Sequence, residues 1–227
     1  MDRSQEERDR LLEWLTVPFD PEQVEWKPQT IVGQKALAVP YAGPRAYSDR
    51  LNLLFGVGGW SEEYDVHICP PGRVLKKIKT ENKTTQQEVP YSGKVLVICT
   101  VMIDGLGVHK GTGECDATDD NALTSADAMA LKRACSRFGL GRYFYDLPKI
   151  WAPYQSGEFM KLPELPDWAT PRRPCFQCRK AIEPATVAGV KLSSIEVAVR
   201  SFRAFDHELC VDCSKEQRTP KAERKKA

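Results

Sequence analysis

One stretch constrains this chain more than any other: Ser125-Ala-Asp-Ala-Met-Ala-Leu-Lys-Arg-Ala-Cys-Ser-Arg-Phe-Gly-Leu-Gly-Arg-Tyr-Phe-Tyr-Asp-Leu-Pro148. It reads as an amphipathic helix, stopped at Gly139, that runs into a short aromatic segment. At about 100° per residue, Leu123, Ala130, Leu131, Ala134, Cys135 and Phe138 fall on one side. Arg133 and Arg137 are four apart and project together, with Lys132 a step around the helix. Ala122, Ala126, Met129 and Ala130 flank the two arginines, and a cationic face lined by small side chains admits a long polyanion. Asp119, Asp120 or Asn121 suits the helix start, and Gly139 suits its end. The plain alternative is the solvated face of an ordinary surface helix.

Net charge is only +2 over 227 residues, which is low for a nucleic-acid binder until it is divided. From Trp168 onward there are 13 Lys/Arg and 7 Asp/Glu, whereas residues 1–167 hold 20 basic and 24 acidic groups. The larger part therefore cannot attract DNA through its overall field and must concentrate cations in a groove. Lys94, Lys110, Lys132, Arg133, Arg137 and Arg142 are the cations available around the hairpin and helix. Tyr143, Phe144 and Tyr145 are aromatic candidates for base stacking, although such a trio equally suits a core or a subunit contact. The sequence has no apolar run long enough to span a membrane and no signal-peptide pattern, so a cytoplasmic location is expected, in a bacterial nucleoid or a phage-infected cell.

Eight cysteines divide into two classes. Cys69, Cys99, Cys115 and Cys135 are isolated and read as buried thiols. Cys175-Phe-Gln-Cys178 and Cys210-Val-Asp-Cys213 are two tight pairs, each able to present two thiolates to one tetrahedral ion. Together they predict one structural zinc per chain in a reducing compartment. The intervening residues have room for a hairpin and a helix, with Ser193-Ser-Ile-Glu196 as its capping box. His207 is a neighbour of this set and a substitute ligand at most.

Periodicity predicts an α+β fold in which an antiparallel β-meander packs with a long helix, followed by a small zinc finger. Helices are expected over Glu6–Leu15 and from Pro44 onward. Strands are expected over Trp60–Cys69, Val74–Lys79, Lys94–Ile103 and Val108–Cys115, with Asp104-Gly105 as the hairpin turn. Asn82–Glu88 reads as a mobile loop. The resulting domains are 1–164, a proline-rich linker 165–174, a zinc module 175–213, and a disordered basic tail 214–227.

The helix block resembles the DdrA-type DNA-end-protection proteins and, more distantly, the annealing domain of the Rad52-type recombination mediators. Three more blocks agree in order: Val24-Glu-Trp-Lys-Pro28, then Tyr41-Ala-Gly-Pro-Arg-Ala-Tyr-Ser-Asp-Arg-Leu-Asn52 with Phe55-Gly-Val-Gly-Gly-Trp60, then the hairpin from Lys94 to Glu114. The resemblance covers roughly residues 15 to 155. It implies a β-β-β-α unit assembled into homo-oligomeric rings, with single-stranded DNA in a basic groove and its bases turned outward. Lys132, Arg133 and Arg137 would then hold the backbone. Tyr41 and Arg45 match positions near the family's groove, and Pro44 sets Arg45 at a helix N-terminus. The implied activity is strand annealing and end protection in recombinational repair, without ATP and without catalysis, alongside other repair proteins.

Two rival functions can be written. Glu114, Asp116, Asp119 and Asp120 could hold Mg²⁺ for a nuclease, although the last two equally suit a helix N-terminus. Alternatively, the zinc finger serves as a protein-binding adaptor. No phosphate-binding loop is present, since Gly105-Leu-Gly-Val-His-Lys-Gly lacks the Gly-Lys-Ser/Thr ending.

Overall fold

A computed structural model describes residues 3–80 and 83–218. The chain forms two compact units, one of Arg3–Val57 with 139–218, the other Gly58–Phe138. This partition differs from the division read from the prolines and cysteines, because the N-terminal 55 residues group with the cysteine-rich C-terminal region rather than with the meander.

Helix α1 (Gln5–Thr16) starts at Ser4, whose hydroxyl accepts from the Glu7 N–H at 3.2 Å. Glu6 and Glu7 complement its positive end, and Leu11, Trp14 and Leu15 recur on its buried side. Strands β1 (Val24–Val32) and β2 (Lys35–Ala42) pair antiparallel with a register shift between Pro28 and Ile31. Helix α2 (Pro44–Phe55) takes Pro44 in its first turn and ends at Gly56, whose φ of 76° suits glycine.

In the Gly58–Phe138 unit, β3 (Trp60–Cys69) is followed by β4 (Gly72–Thr80) and β5 (Lys83–Tyr91), which pair only with each other. Strands β6 (Lys94–Ile103) and β7 (Gly107–Asp116) join β3 in an antiparallel sheet of order β3-β6-β7. Helix α3 (Ala122–Arg137) covers one face. Val95, Val97, Cys99, Val101 and Ile103 alternate toward it along β6 and are buried. Across from them, a Cβ on Gly111 would lie 2.3 Å from the Ala130 carbonyl oxygen, and one on Gly113 would lie 1.8 Å from that of Ala126. Backbone thus meets backbone, and the helix can lie on the sheet only because both partners lack bulk.

That packing corrects the expected helix faces. Ala126 and Ala130 are fully covered and pack on the glycine strand, and Ala122 is buried, so these alanines do not line a path for a polyanion. Leu123, expected on the buried side, is half exposed, whereas Leu131, Ala134, Cys135 and Phe138 are buried as expected. A second correction concerns Asn82–Glu88, of which Asn82 lies outside the described residues. The segment is polar and has no apolar alternation, yet Lys83–Tyr91 is a strand registered to β4 along its length. Its ladder hydrogen bonds, not core burial, define it.

The second half of the other unit begins with β8 (Ile150–Gln155) and β9 (Glu158–Phe159), which complete the sheet β1-β2-β8-β9. Within 165–174, Ala169 is fully buried and Arg173 holds Glu208 and Glu13, so this stretch is packed. A hairpin of β10 (Ala185–Val187) and β11 (Val190–Leu192) turns through Ala188 and Gly189, both at positive φ. Helix α4 (Ser194–Phe205) opens with the Ser193/Glu196 capping box. Helix α5 (Val211–Arg218) takes in Ser214–Arg218, which correct the expected tail by continuing the turn begun at the last cysteine pair; Ser214 N–H donates to the Cys210 carbonyl at 2.9 Å. Residues 219–227 lie outside the described residues.

Among the buried polar groups of this unit, the Arg50 guanidinium donates to the carbonyls of Trp14 and Val17, each at 3.0 Å, and stands over the Phe19 ring. Asp20 accepts from the backbone N–H and hydroxyl of Ser194 at 3.0 and 2.7 Å. Trp14 Nε1 donates to Glu208 at 2.9 Å, and Glu208 also accepts from Arg173. Residues 14–20 are thereby tied to Arg173, Ser194 and Glu208. No described helix is long and apolar enough to cross a membrane.

Candidate nucleic-acid interface and cysteine cluster

Arg133 and Arg137 leave α3 beside Ala126 and Ala130, at the margin of the side that the sheet covers, and Lys132 lies about 100° round from Arg133. Arg133 and Arg137 are exposed, and Lys132 is half-buried. Arg133 reaches across to β7 and donates Nη1–H to the Thr112 carbonyl at 2.7 Å. This bond fixes the direction of the guanidinium and leaves its other donors outward. Arg133 borders a hollow of about 270 Å³ with His67, Leu96, Ile98 and Glu114. Arg137 sits in the last helical turn, where the backbone carbonyls favour a cation.

The other cations of this unit are placed less freely. Lys94 pairs with Asp116 at 2.9 Å, and Ser92 donates to the same carboxylate at 3.2 Å. The Asp116 hydrogen bond holds the Lys94 ammonium above its ordinary range, and Lys94 in turn holds the Asp116 carboxyl below its own. Lys110 is exposed on β7, in register with Thr100.

Tyr41, Arg45 and Arg142 belong to the other unit. Arg45 is exposed in the first turn of α2, and Arg142 is exposed in a 3₁₀ turn over Arg142–Tyr145. Tyr41 donates its hydroxyl to Glu25 at 2.6 Å; that bond, with burial, raises its pKa and keeps it protonated. Of the aromatic trio, Tyr143 and Phe144 stack on each other at 4.3 Å, and Phe144 stacks on Phe19. The Tyr143 hydroxyl accepts from the Phe19 N–H. Only Tyr145 is largely exposed.

The acidic residues 114, 116, 119 and 120 do not gather into a metal site. Among the described residues, the only convergence of three or more His, Cys, Asp or Glu ligand atoms is the cysteine set. Asn121 takes the N-cap position of α3 without a side-chain cap bond, and the Ala122 N–H bonds the Asp119 carbonyl at 3.0 Å.

Cys175, Cys178, Cys210 and Cys213 place their sulfurs within 4.8 Å of one another, and the Cys178–Cys210 separation is 3.9 Å. Tetrahedral zinc with bonds of about 2.3 Å requires sulfurs about 3.8 Å apart, so the four thiols fit one metal ion. The local backbone is shaped for it. Cys175 N–H bonds the Lys180 carbonyl at 2.8 Å, Arg179 N–H bonds the Cys175 carbonyl at 2.9 Å, and Arg179 adopts a φ of 63° to turn the loop. Burial alone would raise the Cys175 thiol, but backbone N–H groups of Cys178, Cys210 and Gln177 donating to its sulfur bring it down to about 6. His207 lies outside the set and stacks on Phe176 at 3.9 Å. Ile182, Leu192, Val197, Ala198 and Leu209 pack around the buried cysteines.

The sequence pattern alone misses one basic group. Arg73, Lys76, Lys77 and Lys79 stand exposed along β4. Their recurrence through an apolar background is the available signal, but periodicity shortens β4 and gives its partner strand as a loop.

Comparison with known proteins now adds to this geometry. The family described as Rad52/22 family double-strand break repair protein matches residues 7–159. The single-stranded DNA-binding protein DdrA of Deinococcus deserti is 34% identical over 162 residues, covering 69% of this chain and 68% of the relative. DdrA of Deinococcus radiodurans is 32% identical over 163 residues, covering 69% and 66%. The chain thus spans about two thirds of each relative's length, and the match takes in β1 to β8 and the whole of α3. This chain belongs to the Rad52/22 family.

Proposed function

We propose that this protein binds single-stranded DNA through the backbone and anneals complementary strands, in recombinational repair and protection of DNA ends. The observation that carries the reading is the exposed margin of α3. Its small residues are consumed by the sheet, while Arg133 and Arg137 beside them stay exposed at the edge of that contact, and Lys132 follows about 100° round the helix. Cations without a stacking platform beside them grip phosphates and leave bases unread. Bases left unread remain available to a second strand, so annealing requires no nucleotide hydrolysis and no catalytic residue.

Arg45, Arg142, Lys110 and Lys94 supply further phosphate contacts in this reading, with Tyr41 beside Arg45. Lys94 must exchange Asp116 for a phosphate to do so. The open edges of the β3-β6-β7 sheet call for neighbours, and a homo-oligomeric ring meets that need. One Zn²⁺ bound by Cys175, Cys178, Cys210 and Cys213 would act as a structural cross-link, with no open coordination position for chemistry. The setting is the cytoplasm of a bacterial or phage-infected cell.

Fluorescence anisotropy with a labelled single strand tests the reading. Lys132→Ala with Arg133→Ala should weaken binding by about 3 kcal/mol or more in a folded protein, at about 1.5–3 kcal/mol for each charge-assisted hydrogen bond. Unchanged affinity in that folded variant would remove its basis.

A further inference from the structure

The β4–β5 ribbon is at odds with the unit that carries it. Strands nine residues long pair along their whole length, yet they join no larger sheet. Apolar side chains on the ribbon stay in water: Leu75 is 70% exposed, and Val74 and Ile78 are 38% and 37% exposed. An isolated two-stranded ribbon is marginal in water, because it has no core to offset the ordering of its backbone. Something other than burial therefore accounts for its sequence.

Charge supplies the reason. Residues 72–91 contain five Lys/Arg and two Glu, whereas the rest of Gly58–Phe138 contains five Lys/Arg and nine Asp/Glu. The unit is acidic except where it extends the ribbon. Period-2 alternation sets Arg73, Leu75, Lys77 and Lys79 on one side, which they share with Pro90, Glu88, Gln86 and Thr84 of β5. Arg73 pairs with Glu88 at 3.2 Å. Among the described residues, Lys76, Lys77 and Lys79 form no ion pair. A row of exposed cations interleaved with Gln and Thr complements a phosphate backbone in both charge and hydrogen bonding.

The form of the backbone follows from the shape of the ribbon. A twisted two-stranded ribbon is of a size that enters a duplex groove. We infer that the β4–β5 ribbon is a duplex-binding arm, separate from the α3 cations, that holds double-stranded DNA through Arg73, Lys77 and Lys79. If the protein anneals strands, as proposed above, this arm grips the product or the duplex flanking a single-stranded end. The inference itself requires only duplex binding.

The test uses the full-length protein, a labelled blunt-ended duplex, and its top strand alone, over a salt series. Arg73→Gln with Lys77→Gln and Lys79→Gln should lower duplex affinity about tenfold or more. It should also make the duplex salt slope shallower by about 2.7, at about 0.9 for each phosphate no longer neutralised. Single-strand affinity should stay within about twofold, since the cations that hold the single strand lie elsewhere. Lys77→Arg with Lys79→Arg should retain duplex binding, which separates the effect of charge from that of ribbon structure. Unchanged duplex affinity in the Gln variant would overturn the inference, as would equal weakening on both probes. A change in particle mass with duplex affinity intact would also overturn it, by assigning the ribbon to the interface between copies. Failure of the wild-type protein to bind the single strand would refute the proposed function while leaving this test of the ribbon intact.

Discussion

Gly113 on β7 meets Ala126 on α3 so closely that a side-chain carbon at Gly113 would stand 1.8 Å from the Ala126 carbonyl oxygen. No rotamer relieves such a clash, because both obstructing groups are backbone. Gly113→Ala should therefore cost about 3 kcal/mol or more, at or beyond the top of the usual overpacking range. Gly111→Ala should behave similarly, since its obstruction is also backbone. Urea unfolding measures both. A variant with unchanged midpoint would mean that α3 does not rest on this strand.

Arg133 and Arg137 offer a separation of structure from binding. Arg133 donates to the Thr112 carbonyl, and no such bond is found for Arg137 among the described residues. Arg133→Ala should lower stability by about 1 kcal/mol, the usual net worth of one hydrogen bond, and should also weaken single-strand binding. Arg137→Ala should weaken binding while leaving the unfolding midpoint nearly fixed. Equal losses of stability in the two variants would contradict the geometry of the pair.

The cysteine cluster should carry one zinc per chain, measurable by metal analysis of protein purified without chelator. Removal of the metal should be felt at the other end of the chain. Glu208, two residues before Cys210, accepts from Trp14 of α1 and from Arg173. Cys178→Ser should thus reduce hydrogen-exchange protection of α1 as well as α4. Reduced protection in residues 175–213 alone would show that the module is independent of α1.

Salt dependence reports how many phosphates are held. Four to six phosphates per subunit on a single strand correspond to a log–log slope of about −3 to −4, at about 0.7 per phosphate. Truncation after Arg218 removes Lys221, Arg224, Lys225 and Lys226. It should reduce affinity and slope together without abolishing annealing. Complete loss of annealing in the truncated chain would place the essential cations beyond residue 218 and outside α3.

Much of the fold is legible in the sequence. Val95 to Ile103 alternates with large β-branched residues, and its strand bounds match the pattern; the Ser193/Glu196 capping box marks α4. The β1-β2-β8-β9 sheet is not legible, because β2 buries Ala36, Ala38 and Ala42, residues too small to raise a period-2 hydrophobic signal. The α3 faces are misjudged for a related reason. Sequence periodicity ranks Leu123 above Ala126 for burial, but a glycine strand selects the smaller side chain. The cations are recognisable as a set. That Lys94 is engaged by Asp116, and Tyr41 by Glu25, depends on tertiary pairing that no spacing rule conveys.

Annealing itself tests the account most directly. Two complementary oligonucleotides, one carrying a fluorophore and the other a quencher, are mixed with the purified protein in the absence of any nucleotide. The wild-type protein should accelerate quenching over the spontaneous rate, and Lys132→Ala with Arg133→Ala and Arg137→Ala should return it to that rate while remaining folded. A folded triple variant that anneals as fast as wild type, or a wild-type protein that needs ATP, would contradict the assignment of annealing to the α3 cations.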